Sequence, residues 1–167
     1  AGRVDLDIGV LSYEEPEVKT RGLFSDAFVA VVRRGHPALR RRGPQALASH
    51  GHIAVSRTGK ARGPLDVALA KVGLSRAVVA VVPSFYPALL TAATSDLIAT
   101  VPGSLARHAG ALLPIATMAL PATLPTLAIA MAWHPRTDGE PARRWLREAV
   151  VAVARSVAPA GRRVSAR

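Results

Sequence analysis

Hydrophobic residues concentrate in two runs near the middle of the chain, residues 77–82 (AVVAVV) and residues 97–101 (LIATV). Each run ends beside a proline, and an Ala- and Leu-containing segment with helical spacing follows each of them. The pattern predicts a strand, a helix, a second strand and a second helix in that order. Apolar strands that alternate with helices are typical of a parallel sheet covered on both faces, because such a sheet needs no polar alternation.

The rest of the chain also alternates between extended and helical patterns. Residues 3–10 alternate apolar positions with acidic or glycine positions, which predicts a strand with one buried face. Apolar residues in 142–157 recur at helical spacing, which predicts a last helix. The other predicted strands are 23–33, 52–55, 112–116 and 127–133, and the other predicted helices are 44–50 and 64–72.

Two extended connections indicate how the chain is divided. The chain enters a compact αβ lobe after Arg34 and leaves that lobe near Ala119. The strand and helix that follow then join the opening strand. The sequence therefore predicts an α/β fold in which one lobe is inserted into another, followed by a flexible tail over residues 158–167.

Length and composition narrow the class of protein. A chain of 167 residues with 50% hydrophobic content can form one ordinary core or two small lobes that share a hinge. The chain contains no cysteine, which excludes disulfides and thiolate chemistry and fits a cytoplasmic protein. Pro, Ser, Thr or Asp interrupts every apolar stretch before it reaches the length of a bilayer span, so no membrane segment is predicted.

The formal net charge of +11 raises the question of nucleic-acid binding. Most basic residues are scattered along the chain, and only 4% of all residues are aromatic, so no stacking platform for bases is evident. The pattern favours a solvated or partner-facing surface over direct contact of this chain with nucleic acid.

Ser84 and Thr100 stand at the carboxyl ends of the two apolar runs, where ligands of parallel sheets bind. No G-x-S-x-G elbow, glycine-rich phosphate loop or metal cluster accompanies them, and His50 and His52 lack a third ligand nearby. The sequence therefore predicts a binding pocket with no catalytic residue, no metal and no cofactor.

Three of these positions have a second interpretation. Ser84 can cap the following helix instead of contacting a ligand, and His52 can be a hydrogen-bonded structural residue. The polar loop at residues 56–60 can bind an anion beside the next helix, since Arg57 and Lys60 lie there, or it can be an ordinary connection.

Several longer motifs resemble the effector-binding domain of LysR-type transcriptional regulators, in the branch that includes nodulation and aromatic-degradation regulators. The similarity extends in the same order and spacing from Gly2 to Val157. Its motifs are GRVDLDIGV, LFSDAFVAVVRRGHPAL, HIAVSRTG, VVPSFYPALLTAATSDLIATVPGSLA, and AMAWHPR followed by RRWLRE. The most specific part of this resemblance is the combination of SDLIATVP with the WHPR and WLR motifs.

The resemblance implies a periplasmic-binding-protein-like fold of type 2, with two αβ lobes around a cleft. Residues 35–117 would form the second lobe, and residues 1–34 plus 118–157 would form an incomplete first lobe. Effector contacts are expected at His52, Ser84, Phe85 and Thr100 in the second lobe and at Ser12 in the first.

The resemblance also implies a function. The chain would sense a small organic effector, aromatic or an organic acid, in a cytoplasmic homo-oligomer, either a dimer or a tetramer. DNA would be bound only through a helix-turn-helix that precedes Ala1, with no membrane partner, no cofactor and no enzymatic activity. An exposed apolar patch is expected on residues 4–10 and 142–157 because half of the first lobe would be missing. A free-standing solute-binding protein is the alternative.

Overall fold

The computed structural model describes residues 4–10, 17–41, 43, 45–120 and 124–158. These residues form eight β-strands and five α-helices, in alternating groups along the chain. The strands are β1 (Asp7–Val10), β2 (Lys19–Asp26), β3 (Phe28–Arg33), β4 (Gly51–Val55), β5 (Ala77–Val82), β6 (Ile98–Pro102), β7 (Ile115–Met118) and β8 (Leu127–Trp133). The helices are α1 (Gln45–Ala48), α2 (Pro64–Ala70), α3 (Phe85–Ala93), α4 (Gly103–Gly110) and α5 (Pro141–Val157).

The chain divides into two compact units. The inserted unit comprises Ala27–Pro125 and contains a five-stranded sheet of order β5-β4-β6-β3-β7. The outer unit comprises Ala1–Asp26 and Thr126–Arg167 and contains a three-stranded sheet of order β1-β8-β2. The insertion of one unit into another agrees with the sequence analysis. The crossings lie after Asp26 and after Pro125, whereas the sequence analysis places them after residues 34 and 117.

The position of β3 explains the difference in these crossings. Residues 23–33 were predicted as one strand, and that prediction is wrong because two strands, β2 and β3, meet at Ala27. β2 pairs with β8 in the outer unit, whereas β3 pairs with β6 and β7 in the inserted unit. The chain therefore changes sheets in the middle of a continuous extended run.

The predicted succession of strand, helix, strand and helix is confirmed as β5, α3, β6 and α4. β4 pairs in parallel with both β5 and β6, whereas β3 pairs antiparallel with β6 and β7, so the sheet is mixed. The prediction that both faces of the apolar strands are covered is wrong for β5. This strand lies at the edge of the sheet, and the side chains of Val79 and Val81 are 60% and 39% exposed.

The strand predicted at 112–116 begins later, at Ile115. Leu112 and Leu113 instead belong to the turn that ends α4, because both of their backbone N–H groups donate to the carbonyl of Ala109. The apolar side chain of Leu112 is exposed in this turn. An apolar residue at that position is therefore no sign of a strand.

Alternate residues of the central strands fill a core on each face of the five-stranded sheet. Val31, Ile53, Ala99 and Val101 pack with Leu89 of α3. On the other set of positions, Ala30, Val32 and Ile98 pack with Leu47 of α1. Burial of a Leu, Ile or Val side chain contributes about 1.5–3 kcal/mol, so these two clusters stabilise the strands that carry the candidate site.

The outer unit buries less of its apolar surface. Ala149, Val150 and Val153 of α5 border an open groove with Ile8 of β1 and Phe24 of β2. Ile8 and Val153 remain largely exposed, and so does Trp145, which is 68% exposed. The predicted apolar patch on the first strand and last helix is confirmed for the described residues.

Candidate ligand-binding site

A cavity of about 140 Å³ lies in the inserted unit, beside the carboxyl ends of the parallel strands β4 and β6. Val55 ends β4, and Thr100 lies near the end of β6, so both reach the same edge of the sheet. Phe85, which opens α3 after β5, completes this edge. The cavity therefore occupies the position at which open α/β sheets hold ligands.

Two phenylalanines form the aromatic wall of the cavity. Phe28 is the first residue of β3 and Phe85 is the first residue of α3. Their ring centroids are 6.3 Å apart and their planes are inclined at 56°, which is a tilted arrangement within the favourable range for aromatic pairs. The pair presents an apolar surface that suits a flat organic ligand.

Thr100 supplies a polar atom to this otherwise apolar region. Its Oγ1 atom is buried and has no hydrogen-bond partner among the described residues. Buried hydroxyl groups are nearly always hydrogen-bonded, and leaving one unpaired costs about 1–3 kcal/mol. Thr100 lines the cavity, and its hydroxyl lacks the partner that a polar group of a ligand would supply.

Positively charged side chains also line the cavity. Lys60 and Arg62 lie in the loop between β4 and α2, both are exposed, and neither has an ion-pair partner among the residues that the structure describes. Arg76 also lines the cavity, but it is paired with Asp66. The free charges that line the cavity are thus those of the loop.

Asp66 fixes this loop. It accepts a hydrogen bond from the backbone N–H of Gly63 at 2.8 Å, and it accepts two from the guanidinium of Arg76. The hydrogen bonds from Arg76 hold the pKa of the Asp66 carboxyl below its usual value. The carboxylate is therefore ionised near neutral pH and neutralises Arg76.

The LysR substrate binding domain model matches residues 1–155 of the chain. The chain belongs to this family. It is similar to the HTH-type transcriptional regulator SyrM 1 of Sinorhizobium fredii, with 32% identity over 155 residues, covering 92% of this chain and 46% of that protein. It is also similar to the HTH-type transcriptional activator NagR of Ralstonia sp, with 32% identity, covering 90% of this chain and 50% of that protein.

Solved structures give the same result. The regulatory domain of MexT, a transcriptional activator in Pseudomonas aeruginosa, matches with a TM-score of 0.73 and 26% identity, covering 90% of this chain and 73% of that one. The α/β, periplasmic-binding-protein-like type 2 fold predicted for this LysR domain is confirmed. The chain spans about half the length of the curated relatives it matches. Nothing in these comparisons supports the alternative of a free-standing solute-binding protein.

The structure brings together two of the five predicted contact residues of this LysR domain, Phe85 and Thr100. Ser84 is exposed at the N-cap position of α3, does not line the cavity, and makes no capping hydrogen bond, so its predicted capping role is not observed. Ser12 lies outside the described residues.

His52 is fully buried in β4 and does not line the cavity. Its Nε2 lies 3.0 Å from the carbonyl oxygen of Leu47, so this nitrogen carries the proton and donates. Its Nδ1 atom has no partner within the described part of the chain. Burial lowers the pKa of the imidazole. The observed contact fits the structural interpretation of His52.

The sequence analysis missed several residues that line the cavity. Phe28 was assigned only to a strand, and Arg62, Arg76 and Leu124 were not singled out. The sequence does point to Lys60, because an anion site is one interpretation of the polar loop at residues 56–60. No comparable signal exists for Arg76, whose pairing with Asp66 depends on the fold.

No group of three His, Cys, Asp or Glu side chains in the described ranges could hold a metal ion. No helix among the described residues is long and apolar enough to cross a membrane.

Proposed function

We propose that this chain is the effector-sensing part of a LysR-type transcriptional regulator and that the cavity beside Phe28, Phe85 and Thr100 is its effector site. The effector is a small organic molecule, aromatic or an organic acid. The observation that carries the proposal is the buried, unpartnered hydroxyl of Thr100 at the carboxyl edge of the sheet, next to the aromatic pair.

The regulatory step follows from linkage. An effector that binds one conformation of the regulator more tightly than another shifts the population toward it, and this shift changes DNA affinity elsewhere in the molecule. DNA is bound by a helix-turn-helix outside this chain, in keeping with the relatives, which are HTH-type transcriptional regulators. The regulator acts in the cytoplasm as a dimer or tetramer, without a cofactor, a membrane partner or enzymatic activity.

Two further contacts belong to this proposal on the strength of the family resemblance. Ser12 and Ser84, which precedes Phe85, supply polar groups to the effector.

Ligand titration of an isosteric variant tests the effector site. Thr100→Val keeps the side-chain shape but removes the hydroxyl, so we expect affinity for a bound aromatic acid to fall by about threefold to tenfold, the value of one net hydrogen bond. Isothermal titration calorimetry against a panel of aromatic carboxylates measures this change. Any ligand that stabilises the folded state also raises its melting temperature, which provides the first screen.

Thr91→Val is the matched control. The hydroxyl of Thr91 donates to the carbonyl of Pro87 within α3 and does not line the cavity, so this substitution should leave affinity unchanged. Equal dissociation constants for the wild type and both variants would show that ligands bind elsewhere. Absence of binding across the whole panel would contradict a preformed effector site.

A further inference from the structure

We propose that the inserted unit itself contacts double-stranded DNA, through arginines at the amino edge of its sheet that bind the phosphate backbone without sequence preference. The amino edge is the edge opposite the cavity, where β4 and β6 begin and β3 ends. Its four free arginines are Arg34, Arg40, Arg41 and Arg107. This contact adds to the one made by the helix-turn-helix of the proposed function, because two linked contacts bind one DNA molecule more tightly than either alone.

The positive charge of the chain is concentrated in the inserted unit. Residues 27–125 contain eleven Lys or Arg residues and two acidic residues, a formal charge of +9. The outer unit contains eleven Lys or Arg residues and nine acidic residues, a formal charge of +2. The two acidic residues of the inserted unit are paired, Asp66 with Arg76 and Asp96 with Arg33. The remaining cations of this unit therefore have no acidic partner within it.

Contacts between distant segments assemble the amino edge. The backbone N–H of Arg34 donates to the carbonyl of Pro114 at 2.7 Å, which joins the end of β3 to the turn that follows α4. Arg107 lies in the last turn of that helix. The fold thus brings the end of α4 to the edge that carries Arg34, although the two segments are far apart in the sequence.

A buried histidine fixes the segment that carries Arg40 and Arg41. His36 is fully buried, and its Nδ1 accepts a hydrogen bond from the N–H of Ala38 at 3.0 Å. Its Nε2 lies 3.1 Å from the carbonyl oxygen of Asp96, so this nitrogen carries the proton and donates. The short 3₁₀-helix that follows His36 ends at Arg40. Because the imidazole ties this helix to the turn before β6, its backbone is already ordered before a partner binds.

The four arginines are available to a partner. All of them are exposed, and none has a side-chain partner among the residues that the structure describes. Arg33 lies at the same edge but is paired with Asp96, so it is left out of the proposed contact. A guanidinium group offers a planar fork of donors that matches the oxygens of a phosphate.

The composition of the edge favours duplex DNA over other anionic partners. Residues 33–41 and 107–115 contain no Phe, Trp or Tyr, so these segments offer no platform on which the bases of a single strand could stack. The same segments contain no acidic residue. Such a uniformly positive surface is typical of interfaces with DNA, which are much more positively charged than those between proteins. Arginine contacts to phosphates hold a duplex without reading its bases.

Fluorescence anisotropy of labelled duplexes tests this contact with the whole 167-residue chain. Two duplexes of about 30 base pairs and unrelated sequence should bind with dissociation constants of about 10 µM at about 50 mM salt, equal within about twofold. If each of the four arginines neutralises one phosphate, the logarithm of affinity should fall with the logarithm of salt concentration at a slope of about −3.6. Affinity should then be about twelvefold lower at about 100 mM salt.

Substitutions at the amino edge identify the residues responsible. The triple variant Arg34→Gln, Arg40→Gln and Arg41→Gln should weaken binding at least about tenfold and reduce the slope to about −0.9. The corresponding triple variant with Lys should retain the slope, because it keeps the charges. Arg40→Gln alone should reduce the magnitude of the slope by about 0.9, which provides the measurement if the triple variant does not fold.

A control variant of the same net charge carries its substitutions in the outer unit. It combines Arg136→Gln, Arg144→Gln and Arg155→Gln, which remove three exposed cations. Its slope should stay near −3.6. If it weakens binding as much as the amino-edge variant, DNA binding is a general effect of net charge and the assignment to the amino edge is wrong.

Three further results would overturn the proposal. The first is tighter binding of a single strand than of the duplex, and the second is displacement of the labelled duplex by poly-L-glutamate as readily as by unlabelled duplex, which would indicate an acidic protein as the partner. The third is absence of binding at about 100 µM chain and about 50 mM salt. None of these measurements involves the cavity, so the effector site is tested separately by titration with aromatic carboxylates.

Discussion

Arg76 and Asp66 form a bidentate ion pair, in which Nε of Arg76 donates to Oδ1 at 3.0 Å and Nη2 donates to Oδ2 at 2.8 Å. The side chain of Arg76 is only 6% exposed, and that of Asp66 is 20% exposed. Asp66 also accepts the N–H of Gly63, so one carboxylate connects the start of α2, the cavity loop and the residue just before β5.

Removal of this carboxylate should destabilise the inserted unit. Asp66→Ala leaves a buried guanidinium and the N–H of Gly63 without their acceptor, so we expect the free energy of unfolding to fall by about 2–4 kcal/mol. Urea denaturation measures the change. Asp96→Ala is the control, because its partner Arg33 and Asp96 itself are much more exposed, and it should cost less than about 1 kcal/mol. Similar losses in the two variants would contradict the structural role of Asp66.

The buried imidazole of His52 makes stability depend on pH. Burial places its folded-state pKa below the unfolded value, so the unfolded chain binds a proton first as the pH falls. The contribution of His52 is therefore fully present above about pH 6.5 and declines as the pH falls toward the folded-state pKa, at up to about 1.4 kcal/mol per pH unit. Urea denaturation of the wild type and of His52→Gln from about pH 7.5 to about pH 5 should show that the variant lacks this decline.

His108→Gln provides the comparison for this experiment. His108 is exposed on α4, so its replacement should leave the decline of the wild type in place. The burial argument would be refuted if His52→Gln and the wild type lost stability in parallel over this pH range.

Local sequence patterns predict those elements that can be recognised without knowledge of the elements they pack against. β8 was predicted with its observed bounds, and α5 within one residue, because a continuous apolar strand and a helix with regular apolar spacing are recognisable without their partners. The division of residues 23–33 between two sheets could not be predicted. Both halves are extended and apolar, and only the choice of partner strand separates β2 from β3.

The residues of the candidate site also differ in whether the sequence could predict them. Thr100 could be predicted because it stands at the carboxyl end of a recognisable strand, whereas Phe85 was expected only from the family resemblance. Whether His52 faces the cavity depends on where α1 packs, and the carbonyl of Leu47 before β4 binds its imidazole instead. Arg76 is held in the cavity wall by its ion pair with Asp66. The turn at Gly73 lies between these two residues in the chain and allows them to meet. Side-chain direction and pairing are tertiary properties and leave no local signal.

Two adjacent leucines in α3 should respond differently to truncation. Leu89 is fully buried against the sheet, whereas Leu90 is 51% exposed. Leu89→Ala should lower the free energy of unfolding by about 3 kcal/mol through lost transfer energy and a residual cavity. Leu90→Ala removes the same atoms at a similar helix propensity and should change it by less than about 1 kcal/mol. The comparison is valid if the free energy of unfolding falls with denaturant concentration at the same slope in both variants. Equal losses of stability in Leu89→Ala and Leu90→Ala would mean that α3 is rotated differently about its axis.

Thr100→Val should increase stability while it weakens effector binding. The buried Oγ1 atom has no partner among the described residues, so an isosteric methyl group removes a desolvation cost and should raise the free energy of unfolding by about 1 kcal/mol in the absence of ligand. Thr91→Val should have the opposite sign, because the hydroxyl of Thr91 donates to the carbonyl of Pro87 at 2.9 Å. Urea denaturation of both variants without ligand measures the two signs. A loss of stability in Thr100→Val would mean that its hydroxyl already has a hydrogen-bond partner in the folded protein. A gain together with weaker ligand binding would show that the cavity retains an unpaired polar atom in order to recognise its effector.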